Sequence, residues 1–325
     1  MLERRAMMPD TSSLGLPELQ NFWQLWIAGM GSFYMLVISI EAGLRFSEWY
    51  ASRGTADARR LFPDNGIVNF LTRVGYDLTL AVPGMIAMFG LSIVAYNQSQ
   101  WKIPLNWWTV PVYFLAGEFI HYFYHRLMHE VRLFWADHSV HHSATEYDFT
   151  TSLRFHLFEW IPKMIVMPVL ALLGFHPLLT ALFGIFVAFQ LFCHTARFGT
   201  WGSWDKLMMS PTNHGIHHSR NPVYMDRNYG GGTVIWDRIF GTYATYDGER
   251  MVYGITHDLK STNLITVYFN EYTYLWRDFF AAPDWKAKLQ VLFGRPGETF
   301  EAPVQTASEQ NNAVPAQAAY QVAAE

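Results

Sequence analysis

Long apolar runs decide most of what this chain can fold into. From Phe22 to Leu44 it reads FWQLWIAGMGSFYMLVISIEAGL, with Gln24 and Glu41 as the interruptions. A second run covers Leu78 to Tyr96, and a third Trp107 to Tyr124. None shows the alternation of polar and apolar faces expected of a helix on a water-soluble protein. About 20 apolar residues suffice to cross the hydrocarbon of a bilayer as a helix. Trp107 and Trp108 open the third run, where an interfacial anchor belongs. Charged residues make up only 15% of the chain, against about 25% in a typical soluble domain. The expectation is an all-α, multi-pass integral membrane helical bundle with a cytosolic, histidine-rich helical cap.

A later pair of apolar segments, Trp160–Leu173 and Leu178–Cys193, flanks the turn Gly174-Phe175-His176-Pro177. It is open to three forms: a tilted hairpin, a re-entrant hairpin or two buried helices. The connection from Arg45 to Arg73 holds five arginines, whereas that from Gln98 to Asn106 holds only Lys102. Positive residues favour the cytoplasm. The arginine-rich connection and the end of the third run are therefore placed inside, with Arg4 and Arg5 outside. Four regions result: a tail over 1–21, transmembrane helices and their connections over 22–106, a second domain over 107–300, and an Ala/Gln/Glu-rich disordered tail over 301–325.

Several functions are excluded early. A net charge of −4 gives no basic footprint for nucleic acid. Cys193 is the only cysteine, so an internal disulfide and a thiolate zinc site are both ruled out. A reducing compartment is the simplest setting. The start, MLERRAMMPD, lacks the short apolar core of a removable leader. His129-Glu130 is not followed by the second histidine of a metalloprotease motif, and no phosphate loop or serine elbow is present.

Twelve of the thirteen histidines lie between His121 and His218. His125 and His129 are four apart. His138, His141 and His142, and again His214, His217 and His218, repeat the spacing i, i+3, i+4. On a helix each set shares one face. Neutral imidazole binds iron, copper and zinc. Eight imidazoles exceed the needs of one tetrahedral zinc, so two ions or one over-supplied ion would account for them. His194, at the end of the last apolar run, is a candidate ninth. His121 and His156 are open between site and packing. His176 sits in a turn far along the chain, and His257 stands alone. Glu118, two turns before His125 on the same face, is placed to accept a ring N–H.

The segment from Glu118 to His129, FWADHSVHHS, TSLR at Arg154, NHGIHHSRN, RNYG and IWDRIFGT resemble the fatty acid hydroxylase/sterol desaturase superfamily. Together with HE at Glu130, HT at His194 and YGITH at His257, they resemble most its alkylglycerol monooxygenase branch. Glu118 stands where the family usually has Asp. The resemblance implies two iron ions that activate O₂, held by His125, His129, His138, His141, His142, His194, His214, His217 and His218. It places Arg154, Asn228, Tyr229, Trp236 and Asp237 in support of that site. It implies hydroxylation of an unactivated C–H bond of a lipid taken from the bilayer, with desaturation as the alternative on the same scaffold. A membrane metal carrier is the remaining alternative. No nicotinamide, flavin or haem signature is visible. Electrons are expected from a separate electron-transfer protein or reductase, or from tetrahydrobiopterin if the resemblance extends to cofactor use. The oligomeric state is left open.

Overall fold

The computed structural model describes residues 16–54, 64–78, 81–104, 106–158, 160–177, 189–257, 259 and 261–298. The tail over 301–325 and most of 1–21 fall outside these residues. Everything regular among the described residues is helical, apart from two isolated bridges, Met208 to Thr233 and Ser219 to Tyr253.

α1 (Leu16–Ser52) contains the first apolar run and continues past it. α2 (Asp64–Leu78) occupies part of the arginine-rich connection, α3 (Ala81–Gln98) the second run, and α4 (Val110–Glu130) the third. α6 (Trp160–Leu172) is the first half of the later pair and packs along α3. Residues 178–188 lie outside the described set, and the chain re-enters at 189–193 as a short helical stretch. The turn at Gly174 has φ +96°, and a Cβ there would lie 2.3 Å from the Trp101 carbonyl oxygen, so glycine is required. Among the described residues no helix is long and apolar enough to cross a membrane. In α4 the buried residues include Glu118, His121, His125 and His129 beside Tyr113, Tyr122 and Met128.

One sharp corner does most to position the site. α4 starts with Pro in its first turn, where the missing N–H costs nothing. It ends at Val131, whose extended backbone redirects the chain at once into α5 (Arg132–His142). The two helices pack against each other. A 3₁₀ turn, Phe149–Leu153, follows. Its capping box, Asp148 with Thr151, fixes its start, and α2 lies against it.

Beyond His194 the chain forms the polar cap. α7 (Pro211–His217) is started by Ser210, whose side chain accepts from the Asn213 N–H. α8 (Ile235–Phe240) closes on Gly241 in the left-handed conformation. Between these short helices the loops are held by buried amides. Asn228 donates to the Asn213 and Ala244 carbonyls, and Asn221 to that of Arg250. α9 (Leu264–Ala281) then packs on α5 through Leu275 and Ala136, and α10 (Trp285–Phe293) joins the same cluster through Val291.

Candidate metal centre

The nine histidines come together as two groups. His125, His129, His138, His142 and His217 form one, and His141, His194, His214 and His218 the other. Within each group one ring nitrogen of every residue lies within 4.8 Å of the rest. All are buried except His141, which is half-buried. Both HxxHH boxes are divided: His138, His142 and His217 belong to the first group, and His141, His214 and His218 to the second.

Five of the outer nitrogens have a partner, whereas Nδ1 of His214 is buried without one among the described residues. Nδ1 of His125 donates to the Tyr229 carbonyl at 2.9 Å, that of His217 to Arg227 at 2.9 Å, that of His141 to Arg154 at 3.1 Å and that of His194 to Gln190 at 2.6 Å. Nδ1 of His129 is 3.4 Å from a carboxylate oxygen of Asp226. This is the usual way of fixing the tautomer and orientation of a ligating imidazole.

The inner nitrogens are then left as lone pairs. Nε2 of His129, His142 and His217 is buried with no hydrogen-bond partner among the described residues. Nε2 of His194 and Nε2 of His141 face each other at 3.1 Å, yet each ring already carries its proton on Nδ1. Two neutral rings so arranged have no hydrogen to share. The same 3.1 Å separates Nε2 of His194 from those of His214 and His218. Nitrogens bound at right angles to one ion, at about 2.1 Å each, stand roughly 3 Å apart. The donor set therefore fits a metal cation in each group. Burial, reinforced by neighbouring imidazoles, holds His125, His138, His142, His194, His214, His217 and His218 well below the usual histidine range. They are neutral and able to ligate.

Residues 226–233 form the loop that orients two of these rings. Asp226 and Asn228 have φ of 57° and 56°, left-handed values that Asp and Asn tolerate best among non-glycine residues. Between them Arg227 presents its carbonyl to His217. Asp237 accepts the Tyr229 and Gly230 N–H groups, both at 2.8 Å, and the Thr242 hydroxyl at 2.7 Å. Burial pushes its carboxyl up to about 6. Glu118 does not take the ring N–H expected of it. Its carboxylate accepts the Gly232 and Thr233 N–H groups and the Thr233 hydroxyl, at 2.7–2.8 Å. Two buried carboxylates thus pin one loop by four backbone donors, and the loop holds the histidines. Trp236 packs on Phe119 and Phe240, at the edge of this loop.

His121 and His156 stand beside the groups but outside them. His121 Nε2 meets the Gln190 side-chain amide at 3.0 Å. His156 pairs through Nδ1 with Asp137, and its Nε2 lies 3.4 Å from His138 Nδ1. His176 packs on Tyr96, and exposed His257 on Tyr274. The carbonyls of Gln190 and Arg227 and the Asp137–His156 pair carry no sequence signal, since any residue supplies a carbonyl and Asp137 lies outside every box. A cavity of about 80 Å³ opens against both groups, lined by His125, His138, His141 and His194 together with Tyr124 and Phe155.

Residues 110–242 match the fatty acid hydroxylase family model, and this span contains all nine histidines. That segment is similar to fatty acid hydroxylase domains. Outside comparison extends a little further. The chain is 33% identical over 208 residues to alkylglycerol monooxygenase of Xenopus tropicalis and 34% over 197 residues to that of Homo sapiens. Each match covers 61% of this chain and 43% of the relative, so the chain spans less than half the length of these curated relatives. It is also 31% identical over 183 residues to ornithine lipid hydroxylase OlsE of Rhizobium tropici, covering 53% of this chain and 54% of that one. No solved structure matches it.

Proposed function

We propose that the chain is a di-iron, O₂-dependent lipid hydroxylase bound to a membrane, with its site on the cytosolic side. The observation that carries this is the pair of inward-facing lone-pair clusters inside a segment similar to fatty acid hydroxylase domains. Nine imidazoles in two groups suit two ions, and the relatives act, by their names, on alkylglycerols and ornithine lipids. Iron bound there supplies the activation of dioxygen for insertion into a C–H bond.

The chain's own residues do the rest. Backbone carbonyls hold four imidazoles as neutral donors on Nδ1. The loop over 226–233 fixes the rings of His125 and His217. Tyr124, Phe155 and Leu191 line the small cavity beside both groups and keep water from the carbon to be oxidised. At about 80 Å³ that cavity admits a short stretch of chain, so the remainder of a lipid has to approach from outside. Exposed apolar residues on α3 and α6, Ile86, Val94, Ile165 and Val169 among them, and exposed Trp101, Trp107 and Trp108 support contact with a bilayer. Electrons come from a separate donor protein or from a pterin such as tetrahydrobiopterin.

The test is direct. The full chain, purified with iron, should consume O₂ in the presence of a reductant and a lipid extract and yield a hydroxylated lipid. His217→Ala and His141→Ala, one from each group, should each lose bound iron and activity. Full activity in either variant would sink the ligand assignment, and an alkene product would replace hydroxylation by desaturation.

A further inference from the structure

Arg154 is fully buried, at 0% exposure, and is among the largest such side chains of the described residues. Its Nε donates to the Val140 carbonyl at 3.1 Å. Its Nη1 donates to the side-chain oxygens of Asn65 and Asn69, at 3.2 and 3.1 Å. Its Nη2 has no partner among the described residues. No described carboxylate pairs with it. Burial lowers the guanidinium to about 10, which still leaves it protonated at neutral pH. A buried cation without a counter-charge is costly, and proteins seldom keep one unless something pairs with it.

Its position shows where that partner would sit. Arg154 lines the small cavity against the metal groups and also a second cavity of about 1480 Å³ on its other side. Of the three further arginines of the large cavity, Arg220 donates to the Ile255 carbonyl at 3.0 Å and the other two are neutralised by carboxylates. Arg45 pairs with Glu41, Glu146 and Asp148, and Arg197 with Glu41 and Glu48. Around Arg154 the chain uses Asn65 and Asn69, one turn apart on α2, where Asp would cancel the charge.

We propose that the large cavity binds an oxyanion, a phosphate or carboxylate group, with the Arg154 guanidinium as its receptor. Guanidinium offers a planar fork of donors that matches such groups. Carried on a lipid, the anion anchors the polar end in the large cavity while the chain reaches past Arg154 to the metal side. That placement rests on the lipid-hydroxylase proposal; the anion site itself does not.

Three probes test it on the iron-loaded full chain in uncharged detergent: hexadecyl phosphate, hexadecanol and inorganic phosphate, each measured by equilibrium binding without turnover. Hexadecyl phosphate should bind roughly tenfold to a hundredfold more tightly than hexadecanol, the range of one charge-assisted contact. Asn69→Asp places a carboxylate on the guanidinium without changing shape. It should keep its iron and its melting temperature and erase the preference. Asn65→Asp does the same from the neighbouring turn should the first variant fold poorly. Binding of inorganic phosphate as tight as that of hexadecyl phosphate assigns the site to a free anion, and selective binding of hexadecyl phosphate assigns it to a headgroup. Equal binding of hexadecyl phosphate and hexadecanol with no binding of phosphate overturns the proposal, as does a preference that survives both Asp variants. A protein that hydroxylates no lipid would refute the proposed function and leave these binding results standing.

Discussion

Asp237→Asn separates what holds the fold from what holds the metal. The carboxylate accepts two backbone N–H groups and a hydroxyl. Asn can keep one oxygen on Tyr229 and Thr242, which turns its own NH₂ toward the Gly230 N–H. Two buried donors are then unpaired, at about 1–3 kcal/mol each. An opposing effect is nearly as large. Burial holds this acid near 6, above the usual aspartate, so the ionised form is costlier in the folded protein than in the unfolded chain. That cost is fully present above pH 6 and is relieved as pH falls toward 4. At neutral pH it amounts to roughly 3 kcal/mol, and Asn avoids it. The net change runs from roughly 1 kcal/mol gained to roughly 3 kcal/mol lost, and the metal-free variant should melt within several degrees of the wild type. Iron should respond more strongly. The Tyr229 carbonyl that orients His125 loses its anchor, and loss of such an outer partner typically weakens metal binding about 10–100-fold. The assay is iron retained per chain against increasing chelator, beside a thermal melt of the metal-free protein. Wild-type iron retention in Asp237→Asn would refute the role given to the loop, and an unfolded variant would refute the offset.

Gly230→Ala puts a Cβ 1.9 Å from the Thr233 carbonyl oxygen, so the loop has to move. A loss of roughly 1–3 kcal/mol in stability, together with iron, is expected from melts and metal analysis. The seven buried imidazoles held well below 6.5 make the metal-free protein acid-sensitive. As pH falls through about 6.5 the unfolded chain takes up protons that the folded one does not, so stability is lost toward acid. Melts between pH 7.5 and 5 should show a steep fall, and a flat profile would show that the rings titrate freely. His257 is exposed and outside both groups, so His257→Ala should leave iron content and O₂ consumption unchanged, as measured in the same preparations.

The spacing of the boxes was enough to place His138, His141 and His142 on one short helix, and the apolar runs enough to name α1, α3 and α4. Spacing alone could not say how the boxes divide. The division depends on the corner at Val131 and on how α7 meets α5, which are tertiary facts. Glu118 was legible as a buried carboxylate with a partner, but not which partner. The residues it grips are backbone amides of Gly232 and Thr233, more than a hundred positions away, and any sequence supplies an amide. For the same reason the Gln190 and Arg227 carbonyls left no trace. Arg154 matched a family pattern, yet its want of a counter-charge appears only once Asn65 and Asn69 are folded against it.

The division of each box has a mechanical consequence. His141 and His142 are consecutive, so their α-carbons stand about 3.8 Å apart. They serve different groups, as do His217 and His218. The gap between the two groups is thus gauged twice by covalent bonds rather than by packing, and neither gauge can stretch. Loops, cavity walls and tails are free to vary around that fixed interval. A single inserted residue inside either box, turning the following histidines by about 100°, would break up both groups at once.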